Sequence, residues 1–286
     1  MAASRIARGR WPVAVLGILC FLFVFFAVLM LSLPGGAVVS IVRSALAGAG
    51  LELTAGEGRY VFPFSLRVAN AMIGPRGRNA VPVDAILAGW EPSGLLSWLP
   101  GHVRIDRGTA WVDVRTSPLP WHPGKVRVRL VGVGSDDLAP LLPAAAATWS
   151  FAIDSAEVVW QNFSSKNAVG RGTATLDRLV LPIPAQESPV REAEIKDVRL
   201  RFVIRGGTVQ VSSLEGRYED AAVEGNGEIV GFSTPSASRI TFRLKIHNPL
   251  EGKVATLFNM VAKNAKNANL RITGTLLSPT GEFQFF

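Results

Sequence analysis

The chain has 286 residues, 48% of them hydrophobic, with a formal net charge of +8. That is enough apolar material for one large domain or two small ones. The basic excess is spread out, with no basic cluster carrying stacking aromatics, which argues against a nucleic-acid partner, and a single cysteine excludes an internal disulfide framework.

The mean hydropathy of +0.28 is high for a soluble protein, and the first forty residues supply part of it. Trp11 to Leu33 holds no charged residue. At a rise of about 1.5 Å per residue this run reaches roughly 35 Å, enough to cross a bilayer with some tilt. Arg5, Arg8 and Arg10 precede it, and only Arg43 follows within twenty-five residues. The positive-inside rule then keeps residues 1–10 in the cytoplasm, makes 11–33 a single transmembrane helix and places the rest outside, in a bacterial periplasm. Trp11 suits the headgroup region at one end of the span. The apolar run exceeds the core of a cleaved signal peptide, so it reads as a retained anchor. Cys20 sits inside this run, behind a large Leu19, and does not form a lipoprotein cleavage box.

Pro34-Gly35-Gly36 ends the anchor. Residues 37–49 carry an apolar helical stripe through Val38, Ile41, Val42, Ala45 and Leu46, which predicts a short juxtamembrane helix within a linker over 34–50. The alternative is a continuation of the anchor.

From 51 to 286 the chain reads as one β-rich domain. Strands are predicted at about 51–60, 63–73, 80–90, 102–116, 124–133, 149–161, 168–181, 191–205, 208–217, 221–232, 238–247 and 269–277. Prolines and glycines fall mostly between them. One-turn helices are predicted within 91–100 and 135–143, and a longer helix within 250–268, where Val254, Leu257, Phe258 and Val261 recur at helical spacing. "RGTAWVDV" and "RGGTVQV" share turn chemistry without forming an internal repeat. The C-terminal "EFQFF" reads as an apolar tail.

The segment "FVIRGGTVQV", residues 202–211, can be read in register. Gly206-Gly207 supplies the positive φ angles of a two-residue hairpin turn. Ile204 then faces Val209 and Phe202 faces Val211 on one side; Val203 faces Gln210 and Arg201 faces Ser212 on the other. Ile240, Phe242, Leu244 and Ile246 alternate with Thr241, Arg243 and Lys245 in the same way. Lys125, Arg127 and Arg129 alternate with apolar neighbours as well. One apolar face per strand favours antiparallel pairing. The fold class expected is therefore mainly β: a large antiparallel, curled sheet with one or two short helices. So few helices cannot cover so many strands. The sheet must roll onto itself, pack as a sandwich, or offer its apolar face to a ligand. Phe202, Ile204, Val209, Val211, Ile240, Phe242, Leu244 and Ile246 are the candidate lining of such a groove.

Catalytic patterns do not emerge. His102, His122 and His247 are scattered, without a second ligand at metal spacing. Asp136-Asp137 reads as a helix cap. Asn162-Phe163-Ser164 is a formal glycosylation sequon without further support. No nucleophile elbow and no Gly-rich phosphate loop opens a helix. The expectation is a non-enzyme without cofactor or metal.

The order of parts carries a resemblance. A basic tail, one span and a small helix lead into "LELTAGEGRYVFPFSLRVANAMIGP"; later come "GTATLDRLVLPIP", "DVRLRFVIRGGTVQVSSLEGRYEDAAVEGNGEI" and "NLRITGTLLSPTGEF". This resembles type II secretion system protein N of the deltaproteobacterial type, a family that in turn resembles periplasmic AsmA-like β-groove proteins. The resemblance implies a single-pass inner-membrane protein acting as an accessory component of protein secretion, with secretion-system or other envelope proteins as partners. It equally implies an AsmA-like groove that binds or bridges phospholipid. The family has no agreed active-site residues, so none is carried over.

Overall fold

The computed structural model describes residues 34–48, 51–61, 65–75, 80–91, 99–117, 124–138, 150–161, 168–182, 192–231, 237–249, 251–261, 265–276 and 278–285, together with Phe21, Phe25 and Gly94. The proposed cytoplasmic tail with Arg5, Arg8 and Arg10, and the span from Trp11 to Leu33, lie outside these residues except for Phe21 and Phe25. Both phenylalanines are helical and exposed, and their rings stack with centroids 6.3 Å apart. Among the described residues no helix is long and apolar enough to cross a membrane.

One sheet dominates the described chain. Its strands are β1 (Leu51–Val61), β2 (Ser65–Pro75), β3 (Val81–Trp90), β4 (Gly101–Arg107), β5 (Ala110–Thr116), β6 (Lys125–Gly134) and β7 (Ser150–Gln161). They continue through β8 (Val169–Pro182), β9 (Glu192–Arg205), β10 (Thr208–Tyr218), β11 (Ala221–Val230), β12 (Arg239–His247), β13 (Asn267–Gly274) and β14 (Pro279–Phe285). Each strand pairs with its sequence neighbours, so the spatial order is the chain order. All ladders are antiparallel. The sheet is curled and unclosed. It brings β14 against β8 without a ladder between them. It is a single meander, not the sandwich of two sheets that alternation alone left open.

Three helices with described bounds accompany it: α1 (Gly35–Gly48), α2 (Ser135–Leu138) and α3 (Lys253–Val261). α1 lies on β1 and β2. Its Val38 and Val42 bury with Leu53, Val68, Ile73 and Ile86, forming a small core at the first end of the sheet. Arg43 Nε donates to the Leu53 carbonyl at 3.1 Å, tying the helix to β1. α3 supplies Val254 and Phe258 to a larger core built from β8 to β13, which includes Ile195, Leu214, Leu244 and Leu270. Its base is pinched shut: Asn248 N donates to the Lys266 carbonyl at 3.0 Å and Asn248 Nδ2 to the Ala265 carbonyl at 2.8 Å.

The hairpin read from "FVIRGGTVQV" forms as expected. Gly206 and Gly207 have φ of 53° and 79°, and Ile204 pairs with Val209, Phe202 with Val211 and Val203 with Gln210. One pair differs. Arg201 meets Ser213, not Ser212, because the register shifts after Val211. The displaced Ser212 donates its hydroxyl to the Arg201 carbonyl at 3.1 Å, satisfying a group at the irregularity.

Further corrections follow from turn chemistry. The segment 102–116 is two strands, not one: Gly108, at φ 57°, turns the chain and Gly108 N donates to the Asp84 carboxylate. The tail "EFQFF" contributes to β14, where Leu270 and Phe283 occupy paired positions. β13 stops at Gly274, whose φ of 110° breaks extended geometry, so Leu276 lies beyond the strand. The helix expected over 250–268 is confined to Lys253–Val261.

Candidate functional site: an apolar trough

Strand pairing links apolar residues into rows that cross the sheet. One row runs Ala88, Val103, Val114, Val128, Val158, Gly172, Phe202, Val211, each residue directly opposite the next. It continues through Gly227, Phe242, Ile272 and Gly281. A second row runs Ile86, Ile105, Val112, Leu130, Ala156, Ala174, Leu200, Leu214. Neither row contains a charged or polar side chain. The opposite face of the same strands carries the charge, because side chains alternate with period two.

What covers the rows changes along the sheet. In the second half the curl and α3 bury them. Ile204, Val211, Ile240, Leu244 and Ile246 are all buried, Phe202 and Phe242 are half-buried against the second core, and Val209 is half-buried. The eight residues expected to line a groove do share one face, but five are already sealed by protein. The open part lies earlier. Val112, Val114, Val128, Leu130, Ala156 and Val158, on β5 to β7, are half-buried, and Val103 and Ile105 on β4, packed against the first core, join the strip to it. At about 4.8 Å per strand the four-stranded floor is roughly 14 Å wide. α1 closes one end of the apolar face and α3 the other. Sequence reasoning missed these residues because "RIDRGTAWVDVRT" and "KVRVRLVGV" show the same alternation as the closed half. Alternation reports which face is apolar, not whether another element lies over it.

Glycines let bulky neighbours lie flat on the floor. A Cβ on Gly172 would come within 2.7 Å of Phe202 Cε2, and one on Gly227 within 2.6 Å of Phe242 Cγ. Each ring occupies the space its opposite glycine leaves. Tyr218 sits half-buried at the edge of the second core. Burial pushes its phenol above the ordinary value, and the neighbouring Glu219 carboxylate adds to this.

The outer face of β4 to β7 is laced with ion pairs. Arg104 Nε donates to Asp106 at 2.7 Å, and its guanidinium lies 4.8 Å from the centre of the Trp111 ring. Arg115 contacts Glu91 and Asp113, each at 3.0 Å. Glu157 accepts a hydrogen bond from Arg129 Nε at 3.0 Å and forms an ion pair with Arg127 at 3.3 Å. The solvent-facing pairs contribute about 0–1 kcal/mol each, so they set the wet face more than they stabilise the fold; Asp113, buried beside Arg115, is the exception.

Among the described residues no three His, Cys, Asp or Glu side chains gather as a cation site. His102 is on β4, and His247, on β12, lies 3.7 Å from Glu224. His122 and Asn162 lie outside the described residues. Asp137 accepts a hydrogen bond from Gly134 N at 2.9 Å and forms an ion pair with Arg107 at 3.0 Å, so it anchors α2 to the β4–β6 region. No family model, curated protein or solved structure matches the chain.

Proposed function

We propose that the protein is a single-pass inner-membrane accessory component of type II secretion, of the protein N kind, acting through its periplasmic β-domain by binding envelope partners. The observation that carries this reading is the uninterrupted meander, curled and apolar within, which is the architecture the resemblance implies. The ordered motifs from "LELTAGEGRY" to "NLRITGTLLSPTGEF" add to it. Crosslinking in intact cells, followed by purification of the full chain, tests it. Secretion-machinery components are expected in the crosslinked fraction. Their absence, with the chain itself recovered intact, overturns the assignment.

A second reading is favoured by the open strip on β4 to β7: the trough holds an acyl chain of a phospholipid. Each large side chain covered is worth about 1.5–3 kcal/mol, and contiguous apolar surface beyond a few hundred Å² is seldom left to water. Native mass spectrometry of gently extracted protein is expected to show bound phospholipid. A mass equal to the bare chain under conditions that preserve lipid on control proteins rejects this reading.

A further inference from the structure

The arginines of the outer face divide into two populations. On β4 to β6, Arg104, Arg107, Arg115, Arg127 and Arg129 each have a carboxylate oxygen within 3.3 Å. On β8 and β9, Arg171, Arg199, Arg201 and Arg205 are all exposed and make no ion pair among the described residues. They share one face, opposite Gly170, Gly172, Leu200, Phe202 and Ile204. Pairing places Arg171 opposite Val203, so Arg201 and Arg205 are its two diagonal neighbours. Thr173 and Ser213 flank Arg201, and Thr175 and Glu215 flank Arg199. Glu215 is the one carboxylate among the direct cross-strand neighbours of the four.

We propose that this face of β8 and β9 is a docking surface for an acidic, extended segment of a partner protein. The inference rests on the partner-binding reading above and names the chemistry of one partner. Like charges packed at strand spacing repel one another, and carboxylates brought by a partner remove that cost. All four are arginines, whose planar forks accept carboxylates bidentately and lose less water than an ammonium. Arg199 and Arg201 are two residues apart on one strand, so they repeat at the same interval as alternate side chains of an extended peptide. Thr173, Thr175 and Ser213 set hydroxyls beside Arg199 and Arg201, suited to hydrogen-bonding a peptide. A bilayer surface is the poorer fit, because the patch carries no aromatic or Leu side chain to insert beneath headgroups.

The test uses the full chain in neutral phosphatidylcholine nanodiscs and a fluorescent decapeptide of alternating Glu and Ser. Saturable binding is expected, with at least about tenfold loss of affinity in Arg171→Gln/Arg199→Gln/Arg201→Gln, since close charge pairs dominate such contacts. Raising salt to about 0.5 M is expected to weaken wild-type binding, as exposed charges are screened. Arg243→Gln/Lys245→Gln/Arg271→Gln, on the same face at β12 and β13, also removes three charges, serves as a charge-matched control and retains binding; equal loss there would mean net charge alone acts, and overturns the proposal. So does undiminished binding by the β8–β9 triple variant with unchanged circular dichroism. Capture of phosphatidylglycerol vesicles without binding of the peptide overturns it in favour of a lipid surface. Because the probe is defined, failure here leaves co-purification with secretion components standing, and the converse also holds.

Discussion

The carbonyl oxygen of Gly35, at the head of α1, occupies the space where a Cβ on Gly58 of β1 would project. The contact is reciprocal: a Cβ on Gly35 would come within 2.6 Å of the Gly58 carbonyl. Helix and strand backbones therefore touch directly, and this seats Val38 and Val42 in the first core. Gly58→Ala is expected to lift the start of α1 and to cost about 1–3 kcal/mol, the usual range for overpacking. Amide hydrogen exchange over 35–48 checks it: protection falls there while β8 to β13 stay protected. Uniform loss along the chain would contradict a local seat.

Phe202 and Gly172 are a size-matched cross-strand pair, and they behave as one unit. Gly172→Ala is expected to be destabilising because the ring cannot lie flat. Phe202→Ala is expected to cost about 3–5 kcal/mol through lost burial and a cavity. The double variant should lose less than the sum, since the added methyl enters the space the ring has left. A chemical denaturation cycle measures this; strict additivity would show that the two do not share a site.

α3 is held to the sheet chiefly through Val254 and Phe258. Phe258→Asp places a charge in the second core and is expected to free the helix from it, exposing Leu244 and Leu270. Increased proteolysis between 249 and 264, with β1 to β7 intact, is the readout. Cleavage no faster than in the wild type would refute this role for the helix.

Tyr218 gives the fold an alkaline limit. Its phenol is raised above 10.0 in the folded chain, so the folded state holds this proton more tightly than the unfolded one. The associated stability is complete below pH 10 and falls as pH rises through the folded value. Tyr218→Phe is expected to leave stability near pH 7 within about 1 kcal/mol, the worth of one hydroxyl interaction at most, and to flatten the decline above pH 10. Thermal melts across pH 8–11 decide it; identical slopes in both proteins would assign the loss to other groups.

The open strip has its own test. Val114 and Val128 face each other across β5 and β6, half-buried. Val114→Asp/Val128→Asp adds two charges to the trough floor and leaves the second core untouched. Loss of co-purifying phospholipid with retained β-sheet circular dichroism is expected. Lipid content unchanged at equal folding would remove the acyl-chain reading.

Much of the fold is legible in particular residues. Gly206-Gly207 fixes a two-residue turn, and the turn fixes which of Ile204 and Val203 faces inward. Ile240 to Ile246 alternate strictly, and the structure keeps that alternation in full. Less was legible where one position out of period changes the outcome. The shift after Val211 moves Arg201 from Ser212 to Ser213. Asp197, at φ 52°, is a non-glycine in the left-handed region that no local pattern flagged; its carboxylate is held by Arg217 from the neighbouring strand. The Gly108-Thr109 turn hid inside a run that reads as continuous strand.

Side-chain alternation and turn residues by themselves determined that the chain makes antiparallel hairpins with one apolar face, since both are properties of neighbours along the backbone. Which part of that face is sealed was decided only in three dimensions. Cover depends on where the curl carries β14 and where α3 lands, and those positions follow from twist and bulges accumulated over many strands. The same holds for the outer arginines. "KVRVRL" and "RLRFVIR" look alike in sequence, yet the arginines of the first pair with Glu157 on the next strand and those of the second form no ion pair among the described residues.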